Sequence, residues 1–77
     1  MVSMKNIVLE NGIISAMCYM EDEPQRMFIL KIDSSDFHII ETSLEHPNIY
    51  CRMALNKIRT VYVSEKVLPT ELYSVWC

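Results

Sequence analysis

Met4-Lys5-Asn6-Ile7-Val8-Leu9-Glu10-Asn11-Gly12-Ile13-Ile14-Ser15-Ala16-Met17-Cys18-Tyr19-Met20 is two apolar runs joined by one polar step, and its reading decides the fold. Asn-Gly is the strongest short hairpin signal, because a type I′ turn needs positive φ at both central positions. Met4 to Leu9 therefore reads as a first strand and Ile13 to Met20 as its antiparallel partner. Moving outward, Glu21-Asp22-Glu23-Pro24 is an acidic turn, and a third strand is expected from Gln25 to Ile32. Asp33-Ser34-Ser35-Asp36 carries the residue types of a second turn, and Phe37 to Thr42 reads as a fourth strand. The first half is thus an antiparallel meander of four strands.

The periodicity changes after Thr42. Apolar residues at 49, 50, 53, 54 and 58 follow helical spacing, with Arg52, Asn56 and Arg59 on the opposite side. Two starts are open: Pro47 suits a first helical turn, and Thr42-Ser43-Leu44-Glu45 matches a capping box. Thr60-Val61-Tyr62-Val63 is β-branched and aromatic, so residues 60–66 read equally as helix or strand. Pro69 breaks the chain, and Thr70 to Cys77 reads as a last strand. The expectation is one α+β domain over residues 1–77: a four-stranded antiparallel meander, one helix packed on one face, and a C-terminal strand.

A half-buried strand alternates apolar and polar residues, and the central strands here do not. In the second, Ile14, Ala16, Cys18 and Met20 face one way and Ile13, Met17 and Tyr19 the other; in the third, Phe28, Leu30 and Ile32 oppose Met27 and Ile29. Five strands about 4.8 Å apart make a sheet roughly 20 Å wide, whereas a helix is about 10 Å across. One helix leaves the second face bare, so either the sheet curls on itself or another chain covers it; the second, as a homodimer or with a hetero-partner, is expected. Met17, Tyr19, Tyr73, Val75 and Trp76 are the candidate contact residues, since Tyr and Trp are enriched at interfaces.

Composition narrows the function classes. The chain has 77 residues, 51% of them apolar, with six Met and one Gly, which argues against a disordered chain. A body this small has little interior, so apolar surface is expected outside. Met4, Met17, Met20, Met27 and Met53 fall at apolar positions and either fill an irregular core or supply an adaptable contact surface. No leader or membrane span fits the sequence. Cys18, Cys51 and Cys77 are odd in number and widely spaced, which is not a secreted disulfide framework. A cytoplasmic protein without membrane contact is expected.

Candidate chemistry is sparse. Cys18, Cys51, Cys77, His38 and His46 lack the close ligand pairs of structural zinc sites. Cys51 lies near the helix start, where a thiolate is favoured, but a single Gly leaves no Gly-rich oxyanion loop. The carboxylates of the two turns read as solvated charge and miss the calcium-loop pattern. Net charge is -3, and residues 47–77 hold four cations, Arg52, Lys57, Arg59 and Lys66, against Glu65 and Glu71. Those four are candidate phosphate contacts, although a nucleic-acid domain normally has a far more basic balance. The reading is a non-catalytic interaction or regulatory domain with no cofactor, self-associating through its bare sheet face. A nucleic-acid-associated regulator and a thiol or metal protein are the alternatives.

Overall fold

The computed structural model describes residues 1–75; Trp76 and Cys77 lie outside the described residues. Strands β1 (Val2–Glu10), β2 (Ile13–Met20), β3 (Met27–Asp33) and β4 (Ile39–Thr42) form the meander, followed by helix α1 (Ile49–Glu65) and strand β5 (Leu72–Ser74). Every pairing is antiparallel, and the sheet order is β4-β3-β2-β1-β5. The last strand returns to the far edge of the sheet, beside β1.

The Asn11-Gly12 turn forms as its sequence dictates. Glu10 pairs with Ile13, and Asn11 and Gly12 take φ of 53° and 77°. Behind the turn, β1 departs from simple alternation. Lys5 pairs with Met17 and Val8 with Ser15, so Asn6 and Ile7 together oppose Ala16. This is a β-bulge, and Asn6 sits at φ 52°, a left-handed conformation that Asn tolerates better than most residues. The bulge changes the parity of the strand: Val2 and Met4 point inward before it, Ile7 after it. Uninterrupted alternation from Met4 would have buried Asn6 and exposed Ile7.

The core lies between the sheet and α1. Met4, Ile14, Cys18, Phe28, Leu30 and Ile32 come from the strands, and Cys51, Met53, Ala54 and Ile58 from the helix. Phe37, Leu44, Tyr50, Leu55, Tyr62 and Leu68 close over this layer. Burying a large apolar side chain contributes about 1.5–3 kcal/mol, so the inner face of the sheet carries most of the stability of so small a body. Met4 and Met53 are buried fillers, whereas Met27 is exposed on the opposite face.

Several boundaries differ from the sequence expectation. The helix starts at neither proposed position. Its N-cap is Asn48, whose side chain accepts from the Cys51 amide at 3.0 Å. Thr42 and Ser43 do not cap because their hydroxyls serve the end of the sheet: the Ile29 amide donates to Ser43 Oγ at 2.8 Å, and the Leu44 amide to Thr42 Oγ1. Pro47 lies just before the cap. Residues 60–65 are helical, and Lys66 ends the helix in a left-handed conformation with its amide donating to the Tyr62 carbonyl at 2.9 Å. The β-branched stretch is held helical by packing, since the Tyr62 ring meets Phe37 edge-on at 6.1 Å. Phe37 itself, at φ 62°, belongs to the β3–β4 turn and not to β4. Pro24–Arg26 is a short 3-10 turn, so β3 begins at Met27, two residues later than expected. Ile49, placed by periodicity on the apolar side of the helix, is half exposed, and Cys51 is buried instead.

Candidate interaction surface

The strand register lays out the outer face of the sheet, away from α1, as four rows. At one end Tyr73, Ser3, Tyr19 and Met27 run side by side across β5, β1, β2 and β3. Lys5, Met17 and Ile29 form the next row, then Val8, Ser15, Lys31 and Glu41, and then Glu10, Ile13 and Asp33 at the hairpin end. The face is thus divided. Five large apolar or aromatic side chains gather at the β5 end, and most of its charges at the other.

No described element lies over this face. Tyr73 is 62% exposed and Met27 41%, while Met17, Tyr19 and Ile29 are half-buried by their neighbours in the sheet. Val75, just past β5, is also exposed. Of the expected contact residues, Met17, Tyr19 and Tyr73 therefore share one face, Val75 lies beside it, and Trp76 is outside the described residues. Met27 and Ile29 join them. Strand parity puts the two together on one side of β3, and the register shows which side that is, with Met27 beside Tyr19 and Ile29 beside Met17.

Polar contacts pin the apolar end. Ser3 is 6% exposed between the two tyrosines, and its hydroxyl donates to Asp22 Oδ1 at 2.7 Å. The Lys5 ammonium sits 5.5 Å from the centre of the Tyr19 ring, a cation–π distance. Around the corner, Glu21 Oε2 accepts from the Tyr50 hydroxyl at 2.7 Å and from the Met1 ammonium at 3.1 Å. These two donors, Tyr50 first, hold the Glu21 carboxyl below its ordinary value. The acidic turn is exposed as expected, but its carboxylates are engaged and not simply solvated. Tyr73, Ser3, Lys5, Asp22 and Glu71 border an open cleft of about 430 Å³ at this end.

The four candidate phosphate contacts do not form one patch. Arg52 and Arg59 are exposed two helical turns apart on the same side of α1, and Arg59 donates to Asn56 at 3.0 Å. Lys57 lies roughly 140° round the helix from Arg52 at 3.6 residues per turn, where it borders β5. Lys66 is past the helix end.

The thiols are set for packing. Cys18 and Cys51 are free and buried. Burial, with the Cys51 thiol nearby, pushes the Cys18 pKa up to about 12, and burial raises that of Cys51. Both stay protonated at neutral pH, the opposite of what a nucleophilic thiol needs. Neither is brought to His38 or His46, which are exposed. Among the described residues the one close grouping of metal-type ligands is Asp33, Asp36 and His38, with ligand atoms within 4.8 Å. All three are already bonded within their turn: Asp33 accepts from the Ser35 hydroxyl and amide, and Asp36 accepts from the His38 amide at 3.1 Å and contacts His38 Nδ1 at 2.6 Å. Those bonds hold both carboxyls below their ordinary value.

No helix among the described residues is long and apolar enough to cross a membrane. No protein-family model, curated protein or solved structure matches the chain.

Proposed function

We propose that this chain is a non-catalytic interaction domain that associates with a second copy of itself through the outer face of its sheet. The observation that supports it is the clustering of Tyr19, Met17, Met27, Ile29 and Tyr73 on a face that no described element covers. The five strands hold 9, 8, 7, 4 and 3 residues, and at about 3.3 Å per residue and about 4.8 Å between strands their face projects on the order of 500 Å². That is roughly 60% of the ~800 Å² that each partner contributes to a stable complex of standard size. Association through this face is therefore weak and concentration-dependent, in the range of transient complexes. The same proposal sets the protein in the cytoplasm, where free thiols such as Cys18 and Cys51 persist.

Light scattering from micromolar to millimolar protein tests this reading. The average mass should rise toward a dimer in the wild type. It should stay at the monomer value for Ile29→Glu and for Tyr73→Glu, while Arg52→Ala, on the far side of the molecule, should behave as wild type. Circular dichroism checks that each variant is folded. A monomer mass for the wild type across the whole range would overturn self-association.

A further inference from the structure

We draw no further inference here: the strongest candidate, the open groove between β5 and Lys57 of α1, is a surface patch, and nothing in the structure shows what covers it.

Discussion

Two turns at opposite ends of β2 place consecutive residues at positive φ, and they are built from very different material. At one end stand Asn11 and Gly12, at φ 53° and 77°. At the other stand Glu21 and Asp22, at φ 54° and 58°, with the Glu23 amide donating to the Met20 carbonyl at 3.1 Å. Both have the signs of a type I′ turn. The first is encoded locally, because Gly enters this region freely and Asn with little strain. The second contains no Gly, and Glu has no special aptitude for the left-handed region, where a residue with a Cβ costs roughly 1–2 kcal/mol. Contacts from distant segments offset that cost: Ser3 bonds Asp22, while Tyr50 and the Met1 ammonium bond Glu21. One backbone shape can thus be chosen by the two residues that adopt it or imposed by what their side chains reach.

The sharpest break of the second turn is Asp22→Ala. It strips the buried Ser3 hydroxyl of its acceptor and puts Ala at positive φ. An orphaned buried hydroxyl alone costs about 1–3 kcal/mol, so a loss of ~2 kcal/mol is expected in urea unfolding. An effect within ordinary surface scatter would mean that the Ser3 contact does not hold the turn.

Next comes the first turn. A Cβ at Gly12 would meet only Ser34 Oγ, at an ordinary 3.9 Å, so the position is limited by conformation and not by space. Gly12→Ala should lose about 1 kcal/mol, and chemical shifts should show the change confined to the hairpin tip. A larger loss would indicate hidden crowding.

A third variant sharpens the contrast. In Ser3→Ala/Asp22→Gly both polar partners are gone and Gly takes the strained position. Stability should return to within about 0.5 kcal/mol of wild type. If the double variant remains as weak as Asp22→Ala, the hydrogen bond is not what Asp22 supplies.

The smallest effect belongs to Tyr50→Phe, because Glu21 is exposed and its interactions are screened. Glu21 titrates below its ordinary 4.5, chiefly through the Tyr50 hydroxyl. A depressed carboxylate contributes stability that is full above its unfolded pKa and is lost as pH falls through the folded one. The gap between wild type and Tyr50→Phe should therefore be present at neutral pH and close as pH drops through 4.5 and below. A gap that persists unchanged in acid would assign Tyr50 to packing instead.

The same division between local and distant causes runs through the molecule. The four-strand meander, the helix and the late strand were legible because each rests on neighbours in sequence: Asn-Gly, Asp-Ser-Ser-Asp, an apolar spacing at helical period. The helix start was not legible. Thr42-Ser43-Leu44-Glu45 has the right residues for a cap, and only the pairing of β3 with β4 shows that Ser43 is already occupied by the Ile29 amide. The Asn6 bulge was equally hidden, since Ile7 turns inward only when β2 and the Thr70 carbonyl, which accepts from its amide at 3.0 Å, are in place. At the candidate surface, strand parity alone put Met17 and Tyr19 together. It took the register to bring Tyr73 into their row, because β5 is separated from β1 by more than sixty residues of chain.

By itself, then, the sequence determined the order and kind of the elements and which side of each central strand is apolar, because dihedral preference and residue period act over a few neighbouring positions. The tertiary structure alone decided that β5 pairs with β1, that Glu21 and Asp22 are held at positive φ, and that the apolar side chains of the outer face collect at one end. Those outcomes depend on groups far apart in the chain meeting across the sheet, and no local preference specifies which distant partner arrives.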